Sequence, residues 1–132
     1  TPEVGVSELT LLPAAAEDRL FSVLPDRPPV AQYHGDSITA LPVGAVLLAS
    51  TPDCAHQAFR LGERAWAVQF HPEVDADIVE SWTDDHPVPV QRCGLEPAVV
   101  VAGLRERGAE MAQVWRPFAL AFADVVREHA AG

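Results

Sequence analysis

The chain has 132 residues, 48% of them hydrophobic and 21% charged, which is enough apolar material for a packed core and too much for a disordered tail. Nine Lys and Arg against 19 Asp and Glu give a formal net charge of −10, which argues against a phosphate-binding nucleic-acid surface and against docking on an anionic membrane. No apolar run is long enough to span a bilayer, no signal peptide is visible, and two cysteines without metal spacing or a disulfide framework point to a reducing cytoplasm.

In chain order, residues 4–11 alternate imperfectly and predict a strand. Leu20, Phe21 and Leu24 stand at helical spacing and predict a short helix over 17–24, closed by Pro25. A proline turn leads to a short strand at 30–33, which delivers His34 and Asp36 into a loop. A further strand is expected at 46–49. Residues 55–61 and 65–70 flank Gly62 and Glu63 as the two arms of a β-hairpin. Asp75 can cap a helix carrying Ile78, Val79 and Trp82. A proline-containing loop is expected over 84–92. Pro97 opens a helix that Gly108 ends near residue 107. A second, amphipathic helix carries Val114, Trp115, Phe118, Phe122, Val125 and Val126, with Pro117 as a kink or joint. The mixture is α/β or α+β, in one unit of residues 1–132: a strand-rich part over 1–83 and C-terminal helices over 94–129.

The stretch Trp66-Ala67-Val68-Gln69-Phe70-His71-Pro72-Glu73-Val74 organises the rest. Apolar on both faces, it predicts a strand buried on both sides. Pro72, which has no N–H for a ladder, ends it, so His71 sits where a side chain leaves the core. Glu73 stands two residues on, close enough to accept a hydrogen bond from His71. A histidine held in one tautomer by a carboxylate is the general-base half of a catalytic triad. The same pair could instead ligate a metal, but neither His34 nor His56 stands at a recognisable third-ligand spacing, and no cofactor is expected. Neither Cys54 nor Cys93 lies in a glycine-flanked strand-to-helix turn, so both read as structural cysteines.

These residues resemble a known family. Phe70-His71-Pro72-Glu73 is similar to the triad motif of the class I glutamine amidotransferases, and Tyr33-His34-Gly35-Asp36 to their upstream histidine motif. Cys54-Ala55-His56-Gln57-Ala58-Phe59-Arg60 resembles the strand that pairs with the triad strand. The resemblance, nearest to the stand-alone, GMP-synthase-like members, runs in order over roughly residues 3–83.

It implies the C-terminal part of a flavodoxin-like, three-layer α/β fold, and glutaminase chemistry with His71 and Glu73 as catalytic residues. The main chain around Gln32, Tyr33 and His34 would border L-glutamine. The family's nucleophile is a cysteine in a Gly-x-Cys-x-Gly elbow, which these 132 residues lack. The chain alone is therefore expected to be inactive. It is also expected to expose apolar faces of 4–11, 30–33 and 46–49, and to associate with a copy of itself or with the nucleophile-bearing half. Ammonia would pass to a synthase or other acceptor. The alternatives are a γ-glutamyl hydrolase or peptidase of the same fold, and a non-catalytic interaction domain derived from it.

Overall fold

The computed structural model describes residues 1–131. The apolar run 4–11 is not one strand. It divides at Leu9 into β1 (Glu3–Glu8) and β2 (Thr10–Leu11), which lie in different sheets. Leu9 is fully buried and its N–H donates to the Pro28 carbonyl (3.0 Å), so the chain changes sheets at a core residue. β1 pairs antiparallel with β3 (Pro29–His34), with Val4 opposite Tyr33 and Glu3 opposite His34. β2 enters a four-stranded antiparallel sheet, ordered β2-β4-β5-β6, with β4 (Val46–Ser50), β5 (Ala58–Leu61) and β6 (Ala65–Val68). The hairpin read from residues 55–70 is the β5–β6 pair, Leu61 opposite Ala65. Gly62 opens its loop at φ 67°, a left-handed conformation open to a residue without Cβ.

The triad stretch departs from the expected doubly buried strand. β6 is an edge strand that stops at Val68, which is 37% exposed. The backbone then crosses between sheets. Gln69 N–H donates to the carbonyl of Gln57 (2.8 Å), one residue before β5 of the four-stranded sheet, and His71 N–H donates to the Ala31 carbonyl (2.9 Å) of β3. Phe70, at the crossing, is 2% exposed and packs on Trp115 with ring centroids 5.2 Å apart.

Segment 17–24 is not a helix either. Two 3-10 turns, Pro13–Glu17 and Phe21–Val23, replace it. The buried Asp18 carboxylate accepts the backbone N–H groups of Leu20 and Phe21, both at 3.0 Å, and so takes the donors a helix would use. The same carboxylate accepts from Arg60 Nε (2.9 Å) and Trp66 Nε1 (3.1 Å), tying the turn to the hairpin.

After the crossing, α1 (Ala76–Asp85) starts where Asp75 Oδ1 accepts the Ile78 N–H at 2.9 Å. The segment read as a loop over 84–92 contains α2 (Val88–Cys93), closed by Gly94 at φ 66°. The two expected C-terminal helices are one, α3 (Pro97–Ala131), unbroken at Gly108 and at Pro117. A glycine in a helix interior costs about 1 kcal/mol and a proline about 3. The inward stripe of Leu104, Met111, Trp115, Phe118 and Val125 keeps helical period across both positions, and its burial outweighs those local costs.

α3 packs on α1, β1, β3 and the second 3-10 turn, and the core falls into two clusters on opposite faces of β3. Val30 joins Leu9, Phe21, Leu48, Ala49, Ala58, Phe70 and Trp115, while Ala31 and Tyr33 join Val79, Val90, Val100 and Leu104. Trp115 Nε1 donates to the Pro29 carbonyl (2.8 Å), satisfying the one polar atom of a buried indole. The apolar faces of 30–33 and 46–49, expected to stand open, are thus covered by this chain's own elements: Val30, Leu48 and Ala49 are fully buried. No helix among the described residues is long and apolar enough to cross a membrane.

Candidate active site

His71 is placed by two constraints that meet at one residue. Its backbone N–H is fixed to β3, and the next residue, Pro72, cannot extend the pairing. The chain turns away and brings Glu73 back over the imidazole, with Nδ1 2.8 Å from Glu73 Oε1. With the proton on Nδ1 donated to that carboxylate, the lone pair lies on Nε2, the form a general base needs. The Trp82 ring stands edge-on to the imidazole, centroids 4.9 Å apart, and covers part of it. The imidazole remains 29% exposed and the Glu73 side chain 61%. A cavity of about 210 Å³ opens beside the pair, bounded by Ala31, Glu73, Met111, Ala112 and Trp115.

The other sequence-marked residues form a second group, and their side chains part company. Tyr33 points to the helical face of β3, where its hydroxyl lies 2.7 Å from the His86 carbonyl and 3.1 Å from that of Trp82. Burial pushes its phenol pKa up. Gln32 and His34 point to the opposite face. Gln32 is buried, and its Nε2 donates to Ser7 Oγ and to Gln57 Oε1, both at 3.1 Å. Both ring nitrogens of His34 face acceptors: Nδ1 lies 2.7 Å from the Asp36 carbonyl and Nε2 3.1 Å from Glu3 Oε1.

Glu3 is the hub of this network and was not singled out by sequence reasoning. Its carboxylate accepts from Thr51 Oγ1 (2.9 Å) and Gln57 Nε2 (2.5 Å) as well as facing His34. Burial alone raises its pKa, but the hydrogen bonds from His34, Thr51 and Gln57, with the charge of His34, outweigh burial and hold it below the usual carboxylate value. Gln69, also missed, bridges the two groups through the loop after His34: its Oε1 accepts the Ile38 N–H at 2.6 Å. The available signal was a polar residue set into an apolar strand, as in Gln57-Ala58-Phe59 and Val68-Gln69-Phe70, since such residues are buried only with partners.

Neither cysteine lies in a strand-to-helix elbow. Cys54 is buried in a tight turn, where its N–H and C=O pair with the backbone of Thr51. Cys93 lies on α2, and burial pushes its thiol pKa up. Among the described residues, no group of three or more His, Cys, Asp or Glu side chains could hold a metal ion.

Comparison with known proteins bears on this geometry. Residues 5–79 match the family glutamine amidotransferase class-I. Over 73 residues the chain is 45% identical to the GMP synthase [glutamine-hydrolyzing] of Porphyromonas gingivalis, an alignment covering 54% of this chain and 14% of that protein. The chain therefore spans only a small part of the curated relative it matches. Among solved structures, a glutamine amidotransferase from Thermotoga maritima superimposes with a TM-score of 0.72 at 22% identity, over 89% of this chain and 49% of that one. One from Methylobacillus flagellatus gives 0.73 at 21%, over 93% and 52%. These likenesses place the fold among the flavodoxin-like α/β amidotransferases, as the sequence motifs implied. With more than half of its length matched to the family, the chain belongs to the class I glutamine amidotransferases.

Proposed function

We propose that this chain carries the acid–base part of a glutamine-hydrolysing active site, with His71 as the base and Glu73 as its orienting partner. The observation that carries the reading is the 2.8 Å contact between His71 Nδ1 and Glu73 Oε1 at the end of the family-matched crossing segment.

The chemistry follows from that contact. A cysteine thiolate attacks the side-chain carboxamide carbon of glutamine, and backbone N–H groups stabilise the oxyanion that forms. His71, having taken the thiol proton at Nε2, gives it to the departing nitrogen, and ammonia leaves behind a thioester. Water then adds to the thioester with His71 again taking the proton. Glutamate departs and the thiolate is restored. Glu73 holds the imidazole tautomer and stabilises its charged form in both halves. The thiolate and the oxyanion hole would come from outside residues 1–132, because Cys54 is sealed in its turn and neither Cys54 nor Cys93 lies in a glycine-flanked strand-to-helix elbow.

β3 suits the substrate's other end. Backbone groups along a strand point to alternate edges. The Ala31 carbonyl points to the edge where His71 docks, so the N–H and C=O of Tyr33, two residues on, face that same edge on the Gln69 side of His71, the bridge being antiparallel. This supports main-chain contact between the Gln32–His34 region and the α-amino and α-carboxylate groups of glutamine. The ammonia would serve a synthase, the activity named for the Porphyromonas gingivalis relative.

The test is ammonia release from glutamine by the assembled protein that includes this chain. His71→Ala should lower kcat/KM by about 10²–10⁴-fold, the range for loss of a general acid–base group. Unchanged turnover would overturn the assignment.

A further inference from the structure

We propose that Gln69 is a positioning residue that ties the loop 35–38 to the histidine-bearing segment, so that the backbone after His34 and the His71 imidazole keep one relative placement. The functional half of this proposal rests on the amidotransferase reading above; the mechanical half does not.

Loop 35–38 has no regular pairing of its own, yet its backbone is held at several points by side chains. The Gly35 carbonyl accepts from Arg92 (3.0 Å), the Asp36 carbonyl from His34 Nδ1 (2.7 Å), and the Ile38 carbonyl lies 3.0 Å from His56 Nδ1. Gln69 makes the remaining contacts: its Oε1 accepts the Ile38 N–H at 2.6 Å, and its Nε2 reaches the Asp36 carbonyl at 3.4 Å. The carboxamide therefore meets a backbone C=O and the N–H two residues later, the pair of groups a neighbouring strand would otherwise meet. Exchanging its oxygen and nitrogen would set like against like at both contacts, so its orientation is fixed.

Of the side chains gripping this loop, Gln69 alone belongs to the crossing segment. That segment is itself anchored on both sides of the side chain. Gln69 N–H is bound to Gln57, one residue before β5 (2.8 Å), and His71 N–H to Ala31 of β3 (2.9 Å). A side chain on so fixed a backbone transmits its position to what it holds. The loop follows β3, whose open edge faces His71, so a shift of the loop displaces the backbone offered to glutamine relative to the base.

Amide hydrogen exchange on the full 132-residue chain tests the tie without glutamine. Gln69→Ala should speed exchange at Ile38 about tenfold, the loss of roughly one hydrogen bond, while the His71 amide keeps its protection. Gln69→Glu retains the acceptor for Ile38 and should exchange there near the parent rate. In the assembled glutamine-hydrolysing protein, Gln69→Ala should raise KM for glutamine about tenfold with a smaller fall in kcat, because the loop steadies the β3 backbone proposed to meet the α-groups of glutamine and not the scissile bond.

Unchanged Ile38 exchange in Gln69→Ala would overturn the tie, and faster exchange with an unchanged KM would overturn its role in positioning. Should Gln69→Ala fail to fold, Gln69→Leu, which removes both contacts at similar size, takes its place: unchanged Ile38 exchange there overturns the tie, and faster exchange with an unchanged KM overturns the positioning role. Full activity of His71→Ala would instead overturn the amidotransferase reading and leave the exchange result standing.

Discussion

Removing the Glu3 carboxylate tests the buried network most directly. In Glu3→Ala, His34 Nε2 loses its hydrogen-bond partner and Gln57 Nε2 loses the shorter of its two contacts, keeping only Thr51 Oγ1 at 2.9 Å. The Thr51 hydroxyl can turn to the Cys54 carbonyl, 3.4 Å away. Two buried N–H groups left without partners, at about 1–3 kcal/mol each, put the cost at about 2–6 kcal/mol. With an m-value of about 1.5 kcal/mol/M, the urea midpoint should fall by about 1–4 M at unchanged m. Glu3→Gln keeps an oxygen for His34 and Gln57 and can donate to Thr51 Oγ1, so its cost should be about 1–2 kcal/mol. The pH dependence separates the two causes. The folded-state pKa of Glu3 lies below its unfolded value, so its contribution is complete above the ordinary carboxylate range and is lost as pH falls through the folded value. Urea midpoints measured from neutral to acid pH should therefore fall more steeply for the parent chain than for Glu3→Gln. A Glu3→Ala midpoint shifted by less than about 0.5 M, or equal acid slopes for parent and Glu3→Gln, would refute the network as a stabilising unit.

Three further outcomes are expected. In the assembled enzyme, Glu73→Gln should cost less activity than His71→Ala, because the amide can still accept from Nδ1 while the base is chemically required; equal losses in kcat/KM would contradict the division of roles. The 132-residue chain alone should release no ammonia from glutamine in a coupled assay; release abolished by Cys54→Ala or Cys93→Ala would identify a nucleophile within it. Asp18→Ala should destabilise the fold by about 3–5 kcal/mol in chemical denaturation, because Leu20, Phe21, Arg60 and Trp66 all donate to that one buried carboxylate; a loss under about 1 kcal/mol would show that water replaces it.

What could be read from the sequence and what could not divides by the range of the interaction. The His71–Glu73 contact spans two residues, with a proline between them to force the turn, so spacing alone predicts it. The β5–β6 hairpin likewise follows from Gly62 between two apolar arms. Local signals misled where a distant one opposed them. Gly108 and Pro117 are helix breakers by propensity, but the stripe through Leu104, Met111, Trp115 and Val125 is longer in range and larger in energy, and α3 runs through both. In segment 17–24 the apolar spacing is helical, yet Asp18 spends its carboxylate on the backbone N–H groups of Leu20 and Phe21, and the apolar side chains are buried from 3-10 turns. The Glu3 network lay furthest from view, since its members are separated by 31 residues (His34) and 54 residues (Gln57). Alternation assigns a residue to a face of a strand but does not say which residue stands opposite it. Only the β1–β3 register, with Glu3 opposite His34, turns an acidic residue near the start of the chain into the partner of that histidine. The His71–Glu73 pair can thus be recognised from a few adjacent residues, whereas the Glu3 network is assembled from β1, β3 and the turn before β5, and is legible only once their pairing is known.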